Sequence, residues 1–292
     1  MSHLASARPR PCVAIAGASG RVGAALIASL AADPVDLVAL TRKPDPARFP
    51  AAVTQRAVDF DTPATLAAAL DGADRLFLAQ GTSPRQVENE IALIDAAVAA
   101  GVKHIVKLSA FGTPLQLHPF DWHTRIEAHL ATRDIGYTLL RPSTFNDFLL
   151  RAAPEIAKGN WGGAAGNGVV NLVDTRDVAD SARVALLDPD SSDWQRAFHL
   201  TGPRAWSMPQ VAAELSRLLG RTVGYEQRSA EDQRARLVAA GLPDFAAGVR
   251  VGLERAFYES ALQETTSTVQ LLTGHAPRTL TAWLEENLAL FR

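Results

Sequence analysis

The sequence predicts an α/β protein built on a doubly wound parallel sheet, with a smaller and mostly helical lobe in its C-terminal half. Three observations support this class. Short apolar runs alternate with longer segments of helical periodicity over roughly the first half of the chain. The apolar runs are almost unbroken, as in strands that are buried on both faces. Directly after the first run, glycine recurs at every third position, at Gly17, Gly20 and Gly23.

The first half of the chain reads as alternating strands and helices. The predicted strands cover 13–16, 37–41, 55–58, 76–79, 105–108 and 137–140. The predicted helices between them cover 21–32, 63–70, 85–100 and 120–133. Thr62 and Pro63 are typical of an N-cap and a first helical position, and Gly101 is placed to end the third helix. Because each helix carries the chain back across the sheet, we expect neighbouring strands to be parallel.

In the second half, the alternation of predicted strands and helices is less regular. We predict a glycine- and asparagine-rich loop over 159–168, strands over 169–173 and 197–201, and helices over 174–187 and 279–291. The expected organisation is a flexible tail over 1–11, a sheet domain over 12–143 and a smaller lobe over 144–292 that is interleaved with the sheet. Open α/β sheets bind ligands beyond the carboxyl ends of their strands. We therefore expect the lobe to close that crevice over a ligand.

Composition excludes several classes of protein. The formal net charge of the 292 residues is −2, without the basic excess that nucleic-acid binding needs. No apolar run reaches the roughly 18 residues of a membrane helix, and the first residues lack the apolar core of a signal peptide. The single cysteine allows no internal disulfide and fits a cytoplasmic location. We expect a small-molecule substrate and no nucleic-acid or membrane partner, and a homodimer is left open.

The glycine run after the first strand predicts a Rossmann-type dinucleotide-binding turn. Gly17 permits a tight turn, Gly20 lets the backbone approach a pyrophosphate, and Gly23 lets the following helix pack closely. The N–H groups at the start of that helix favour a phosphate charge. The alternative is a glycine turn that binds no ligand. The position of the run between a strand and a helix favours the dinucleotide.

The end of the second predicted strand indicates which dinucleotide is bound. An NAD site usually carries an acidic residue there for the ribose 2′-hydroxyl. This chain has Arg42 and Lys43 instead, which suit the 2′-phosphate of NADP(H). We therefore expect NADPH as the cofactor, with NAD less favoured. The alternative is that both side chains are solvated loop cations.

The catalytic group is less clear from the sequence. Reductases of the short-chain type use Tyr-x-x-x-Lys, but none of the three tyrosines has a lysine four residues later. His123 and Glu127 stand at the corresponding positions of a predicted helix and share one face of it. We expect His123 to protonate the substrate, since imidazole titrates near neutral pH. The alternative is that His123 only lines the pocket, and Glu127 either orients it or forms a structural ion pair.

The same helix region is rich in groups that bind metals, namely His118, Asp121, His123, Glu127 and His129. Histidine and glutamate four residues apart can chelate a metal, but no convincing further ligand set is present. We predict no metal site.

Several segments resemble the NmrA-like group of atypical short-chain dehydrogenases/reductases. They are GASGRVG near the start, GVKHIVKLSAFG at the fifth strand, HTRIEAHL followed by YTLLRPSTF, and VNLVDTRDVAD. The group includes NADPH-dependent quinone and azo reductases, isoflavone-reductase-like enzymes and redox-sensing regulators without catalysis. Isoflavone-reductase-like members have a catalytic lysine where this chain has His123, so the proton donor departs from their pattern.

The resemblance implies roles for individual residues. The pyrophosphate would be held by Gly17, Ser19, Gly20, Arg21, Val22 and Gly23, the adenosine phosphate by Arg42, and the adenine by Asp59 and Phe60. The alternative for Asp59 and Phe60 is a surface strand end without a ligand. The nicotinamide and its ribose would lie against Ala79, Gln80, Gly81 and Ser109. The substrate crevice would include Ser143, Thr144, Phe145 and Asn146. An apolar wall for a flat substrate would come from Phe111, Trp122, Phe148 and Trp161, although each aromatic taken alone is more typical of a protein core.

Two functions follow from these observations. The first is an NADPH-dependent reductase that transfers hydride to a conjugated substrate such as a quinone or an enone. The second is an NADP(H)-sensing regulator that performs no chemistry, which would explain the absent Tyr/Lys pair. A sugar-nucleotide enzyme or isomerase with bound cofactor is a third and weaker option. An aromatic crevice with His123 favours the reductase.

Overall fold

The computed structural model describes residues 10–111 and 120–292, which form two compact units. The first unit comprises residues 10–108, 126–139 and 182–196. The second comprises residues 109–111, 120–125, 140–181 and 197–292. The predicted tail lies almost wholly outside the described residues, and the predicted domain boundary after residue 143 stays a prediction.

The described residues form strands of two to seven residues. They are β1 (Cys12–Ala16), β2 (Asp36–Thr41), β3 (Val53–Ala57), β4 (Arg75–Leu78), β5 (His104–Leu108), β6 (Gly136–Pro142), β7 (Thr144–Phe145), β8 (Asn160–Gly163), β9 (Val169–Val173), β10 (Gln195–Leu200), β11 (Ala205–Ser207) and β12 (Gly224–Gln227). The helices are α1 (Arg21–Leu30), α2 (Pro63–Leu70), α3 (Gln86–Ala99), α4 (Phe120–Leu130), α5 (Ala153–Ala157), α6 (Thr175–Leu187), α7 (Met208–Leu219), α8 (Ala230–Ala239), α9 (Asp244–Tyr258), α10 (Thr268–Thr273) and α11 (Leu280–Glu286).

Seven strands form the main sheet, in the order β10-β6-β5-β4-β1-β2-β3. Strand β1 lies between β2 and β4, so the winding of the sheet reverses beside β1, as in doubly wound nucleotide-binding folds. The pairs β1–β2, β1–β4, β2–β3 and β4–β5 are parallel. The predicted fold class is confirmed, and the six predicted strands of the first half agree with the observed ones to within two residues at each end.

The strands form because their side chains are apolar on both faces. The central strand β1 is buried from Val13 to Ala16, and β4 is buried from Leu76 to Leu78. Such strands need cover on both sides of the sheet, which the intervening helices supply in doubly wound folds. The helix ends follow local chemistry. Thr62 is the N-cap of α2 with Pro63 at its first turn, and Gly101, with φ +77°, follows α3.

The second unit has its own apolar core and two small sheets. One sheet has the order β11-β9-β7 and the other pairs β12 with β8. The core includes Trp161, Trp206, Phe257 and Trp283. Helix α7 begins with a capping box formed by Ser207 and Gln210. Among the described residues, no helix is both long enough and apolar enough to span a membrane.

Two predictions in this half were wrong. The segment predicted as a loop over 159–168 contains β8, which pairs in parallel with β12, a strand that was not predicted. The final helix predicted over 279–291 is interrupted after Glu286, and the chain continues as a short 3-10 helix over Leu288–Phe291.

Candidate functional site

The glycine turn between β1 and α1 is tightly packed in the first unit. Gly17 has φ +71°, a left-handed conformation that favours glycine. A Cβ atom on Gly17 would lie 2.6 Å from the carbonyl oxygen of Ala79, so the turn rests directly on the backbone after β4. The structure thus brings together two of the segments predicted to hold the cofactor, the glycine turn and the residues from Ala79 onward.

Gly23 is required where α1 meets the turn. A Cβ atom on Gly23 would lie 2.3 Å from the carbonyl oxygen of Gly17 and 2.8 Å from the Cα of Ala18. The N–H of Gly20 donates to the same Gly17 oxygen at 2.8 Å. Only hydrogen atoms fit between the turn and the first turn of the helix, and the loop is held close to the helix N-terminus.

The start of α1 can receive an anion. Gly20 is the N-cap and offers no capping side chain, and the first turn carries no acidic residue. Ser19, Gly20 and Arg21 are exposed, whereas the side chain of Val22 is buried, so Val22 offers only its backbone to a ligand. Backbone N–H groups and the helix dipole favour a phosphate at such an end. Together with the Gly17 and Gly23 contacts, this cradle fits the pyrophosphate of a dinucleotide.

The end of β2 presents two exposed cations, Arg42 and Lys43. The backbone of Lys43 is fixed by the hydroxyl of Thr41, which accepts from its N–H at 3.3 Å and donates to its carbonyl oxygen at 3.2 Å. Across the described ranges, the guanidinium of Arg42 makes no hydrogen bond or ion pair. Arg42 is therefore available to an external anion without breaking an existing contact.

Asp59 and Phe60 follow β3, at the predicted adenine position. The carboxylate of Asp59 accepts the N–H of Asp61 at 2.9 Å and the hydroxyl of Thr62 at 3.2 Å. Asp59 thereby orders the turn that leads into α2, and Phe60 is half-buried. Their contact with adenine stays a prediction.

A shallow cavity of about 200 Å³ lies beside the glycine turn. Ser19, Ile27 and Ala28 line one side, and Arg48 and Phe49 line the other. Sequence reasoning missed Arg48. The available signal was a third basic residue within seven positions of Arg42, in the segment RKPDPAR.

A buried ion pair joins β5 to α3 in the first unit. Lys107 in β5 and Glu90 in α3 are fully buried, with Nζ and Oε2 2.6 Å apart. Gln86 donates to the other oxygen of Glu90 at 2.9 Å, and Lys107 also donates to the carbonyl oxygen of Leu108 at 3.0 Å. The pair holds the end of β5 against the start of α3. Sequence reasoning missed it because a lysine inside an apolar run has no local partner.

The predicted nicotinamide residues differ in exposure. Ala79 is buried, Gln80 is half-buried and Gly81 is exposed in the first unit. Ser109 belongs to the second unit and is buried, and its N–H donates to the carbonyl oxygen of Leu140 at 2.7 Å. Their contacts with a cofactor stay predictions.

Two of the predicted wall residues in the second unit contact other aromatic rings. Trp122 is buried and stacks on Phe245, with ring centroids 5.9 Å apart and planes 14° apart. Phe111 is buried and contacts His199, with centroids 4.6 Å apart. Neither Phe245 nor His199 was predicted from the sequence. Both come from segments more than 80 positions away in the chain, so no local pattern could have joined them.

In the segment after β6, the side chain of Ser143 is hydrogen-bonded within the protein and that of Asn146 is not. The hydroxyl of Ser143 donates to the carbonyl oxygen of Asn171 at 2.7 Å, so it already has a partner within the protein. Thr144 is buried in β7 and Phe145 is half-buried. Asn146 is fully buried, and neither polar atom of its side chain has a hydrogen-bond partner.

The remaining aromatic candidates lie in the interior of the second unit. Trp161 is 2% exposed within the apolar core, and its ring meets that of Tyr225 edge-on with centroids 4.9 Å apart. Burial raises the pKa of Tyr225 to about 12. Phe148 is half-buried and packs on Phe257 at 5.0 Å between centroids. The structure places Trp161 where a core residue would stand, and its contact with substrate stays a prediction.

His123 and Glu127 lie in α4, four residues apart and therefore on one face. His123 is half-buried, and Glu127 is 8% exposed. His118 of the histidine-rich segment lies outside the described residues. The role of His123 as a proton donor stays a prediction.

A separate group of metal-ligating types is formed by Asp177, Asp180 and His275. Arg278 pairs with both carboxylates, and its Nη1 lies 3.0 Å from Oδ2 of Asp180. The guanidinium supplies the positive charge that these carboxylates need.

A family model described as NAD(P)H-binding matches residues 17–189, more than half of the chain. The chain belongs to this NAD(P)H-binding family. The matched segment begins at the first glycine of the turn and runs through all the strands from β2 to β9.

Proteins with assigned functions are similar over nearly the whole chain. Quinone oxidoreductase 2 of Escherichia coli is 34% identical over 277 residues, covering 92% of this chain and 96% of that protein. The NAD(P)H azoreductase of Xenophilus azovorans is 31% identical over 286 residues, covering 96% and 99%. A crystal structure of the Escherichia coli NADPH-dependent quinone oxidoreductase with NADPH superposes with a TM-score of 0.86 at 31% identity, covering 94% of this chain and 99% of that one.

These findings confirm the predicted resemblance to NAD(P)H-dependent quinone and azo reductases and the prediction of a nicotinamide dinucleotide cofactor. They leave the roles of individual residues as predictions. The geometry supports the glycine turn and Arg42 most directly, since those residues form an open cradle and an available cation.

Proposed function

We propose that this NAD(P)H-binding protein is an NADPH-dependent reductase of quinone-like conjugated substrates. The observation that carries the proposal is its similarity to quinone oxidoreductase 2, at 34% identity over 92% of the chain. A second relative is named as an NAD(P)H azoreductase, and the azo group of a dye is conjugated with its aromatic rings. The fold and the cofactor cradle described above fit this activity.

The chain's own residues would hold NADPH from the glycine turn to the end of β4. The N–H groups at the start of α1 would bind the pyrophosphate, and the close contacts of Gly17 and Gly23 would keep the backbone near it. Arg42 would bind the 2′-phosphate through charge-assisted hydrogen bonds. Arg48 adds a second cation near Ser19. When bound, NADPH supplies the hydride for the reduction.

The substrate requires little acid catalysis from the protein. A quinone that receives hydride becomes a hydroquinone anion, whose charge is spread over the conjugated ring, and one proton then completes the hydroquinone. His123 would donate that proton and recover it from solvent, because its side chain is only half-buried. The absence of a Tyr-x-x-x-Lys pair is compatible with such a substrate. Trp122 and Phe245, which stack with nearly parallel planes, would offer an aromatic surface to a flat ring.

Turnover on a defined panel tests the proposed activity. The purified chain would be given NADPH with menadione, an enone and an azo dye, and loss of the reduced nicotinamide absorbance would be followed. We expect turnover on menadione. Tight NADPH binding without turnover on any compound would contradict the reductase and favour a regulator.

The Arg42→Ala variant tests the cofactor preference. Because Arg42 has no partner in the described residues, its removal should leave the melting temperature unchanged. Loss of its contact with the 2′-phosphate should weaken NADPH binding by about tenfold or more, while NADH binding changes little. Arg255→Ala is a matched control, since Arg255 is 68% exposed on α9 and its one ion pair within the described residues is with Glu259. Equal losses for NADPH and NADH would contradict the assignment.

A cytoplasmic location and a homodimeric state belong to the proposal as well. The single cysteine and the lack of a membrane helix among the described residues support the location. Cell fractionation and light scattering of the purified chain would test the two points separately.

A further inference from the structure

Asn146 is a buried amide without any partner. Its side chain is 0% exposed, and both Nδ2 and Oδ1 lack a hydrogen bond. Buried amide groups in folded proteins are almost always paired. The protein therefore keeps a donor and an acceptor side by side in its interior without using either.

The residues around Asn146 hold it in this position. The preceding strand β7 pairs in register with β9, with Thr144 opposite Leu172 and Phe145 opposite Val173. Asp147, the next residue, accepts the hydroxyl of Thr175 at 2.8 Å. The chain is thus held in place on both sides of Asn146.

Asn146 is fully buried, and the chain just after it is packed against other side chains. Phe148, two residues later, packs against Phe257 and lies under the guanidinium of Arg250, whose Cζ is 3.1 Å from the ring centroid. In a low-dielectric environment, a hydrogen bond is stronger and an unpaired polar group is more unfavourable than in water. An external group that satisfied the amide would gain more here than on the surface.

A comparison with Asn171 in the same unit shows that the fold can pair a buried amide where it needs one. Asn171 is also 0% exposed, yet its Oδ1 accepts the N–H of Gly202 at 2.6 Å. Its Nδ2 donates to the carbonyl oxygen of Gly202 at 3.1 Å and to the hydroxyl of Thr265 at 3.0 Å. Asn171 is a structural amide, whereas Asn146 has none of the contacts that such a role requires.

We propose that Asn146 is a substrate-recognition residue, whose Nδ2–H donates to a substrate carbonyl oxygen while Oδ1 accepts from a neighbouring hydroxyl or amino group. This inference rests on the proposed reductase function and narrows its substrate class. The preferred substrate is a conjugated ring whose carbonyl is flanked by an O–H or N–H donor. Position supports this role, since Asn146 comes four residues after the end of β6, and open α/β sheets bind ligands beyond their carboxyl ends.

Folded proteins retain energetically unfavourable groups, such as an unpaired buried amide, mainly at functional sites, where a bound ligand can supply the missing hydrogen bonds. Replacement of Asn146 by an apolar residue should therefore remove an unpaired amide without harming the fold. The same replacement at Asn171 should break three hydrogen bonds. The two variants make the same chemical change at equally buried sites, and the inference predicts opposite results for stability.

The test compares Asn146→Leu and Asn171→Leu in the full chain, with Asn146→Ala as a second variant if leucine does not fit. Melting temperature, NADPH affinity and the affinity for an aminonaphthoquinone would be measured. We expect the Asn146 variants to melt no lower than wild type, to bind NADPH normally and to bind the aminonaphthoquinone about tenfold more weakly or worse. Asn171→Leu should melt several degrees lower.

A dimethylaminonaphthoquinone keeps the carbonyl oxygen but lacks the N–H donor. It therefore distinguishes the hydrogen bond accepted by Oδ1 of Asn146 from the one donated by Nδ2. Wild type should prefer the amino compound, and the Asn146 variants should lose that preference. The inference is overturned if the Asn146 variants bind both quinones like wild type, or if they melt as low as Asn171→Leu. In either case Asn146 is structural or is hydrogen-bonded to water, and the proposed reductase function is unaffected. If wild type reduces no quinone, the proposed function fails and the inference fails with it.

Discussion

Gly23→Ala is the substitution for which the structure gives the clearest expectation. The added Cβ would lie 2.3 Å from the carbonyl oxygen of Gly17, where real Cβ atoms essentially never approach closer than 3.0 Å. The neighbouring Cα of Ala18 is 2.8 Å away, so backbone and not a flexible side chain must move. Overpacking of this kind destabilises by about 1–3 kcal/mol. Alanine regains up to about 1 kcal/mol over glycine through helix propensity.

The net loss should be about 1–2 kcal/mol, which corresponds to a fall of several degrees in melting temperature. NADPH affinity should fall further, because the turn that moves carries the N–H groups that receive the pyrophosphate. Thermal unfolding with and without NADPH, together with NADPH fluorescence, measures both effects.

Gly248→Ala provides the matched control. Gly248 lies within α9, and a Cβ atom there would meet nothing within 4 Å. The same chemical change should therefore stabilise by up to about 1 kcal/mol and leave NADPH binding unchanged. If Gly23→Ala melts as high as Gly248→Ala and binds NADPH like wild type, the close packing of the turn against α1 is refuted.

Two further predictions concern buried ionisable groups in the first unit. Burial, and then the charge of Arg75, lowers the pKa of His104 from 6.5 to about 4. Only the unfolded chain takes up a proton between these values, so stability should fall by about 2 kcal/mol from pH 7 to pH 5. Urea unfolding of wild type and His104→Gln should show that the variant loses less. Lys107→Met leaves Glu90 buried without its cation and should destabilise by about 3–5 kcal/mol, while the double variant with Glu90→Leu recovers most of the loss. An equal loss in the single and double variants would show that the pair contributes little.

The sheet could be predicted because each of its strands carries its own signal. Runs such as 13–16 and 76–79 are short and apolar and are followed by glycine or polar residues, so their position depends on nothing distant. Their burial in a parallel sheet follows from the helices between them. The glycine turn could be predicted for the same reason, since the strand, the turn and the helix that form it are consecutive.

The segment over 159–168 could not be predicted because its glycines serve a different purpose. A Cβ on Gly162 would lie 2.5 Å from the Nε of Arg228, and one on Gly163 would lie 3.1 Å from a carboxylate oxygen of Glu254. The glycines permit close approach of side chains that lie more than 60 positions away, and they form a strand with few apolar residues. Its partner, Gly224–Gln227, is equally polar and gives no strand signal.

In the candidate site too, the sequence could indicate what depends on neighbouring residues but not what depends on contacts with distant segments. Arg42 could be proposed as an anion-binding residue from the sequence because that proposal depends only on its place at the end of a strand. Ser143 and Trp161 could be named as candidates but not assigned, because the carbonyl of Asn171 and the ring of Tyr225 occupy them from distant segments. The unpaired amide of Asn146 is a property of the whole fold and has no signature in the sequence.

The polar groups that the fold leaves available explain why a missing Tyr/Lys pair is compatible with reduction. Among the candidate substrate residues that the structure describes, the aromatic side chains are buried or half-buried, and the hydroxyl of Ser143 is already bonded within the protein. Both polar atoms of the buried Asn146 side chain lack a partner, and the buried indole N–H of Trp161 has none either. Such a surface can orient a flat ring and recognise one carbonyl, but it offers little to stabilise a localised alkoxide. A substrate whose own conjugation spreads the negative charge needs no more than this, and an isolated ketone would need the catalytic pair that the chain lacks.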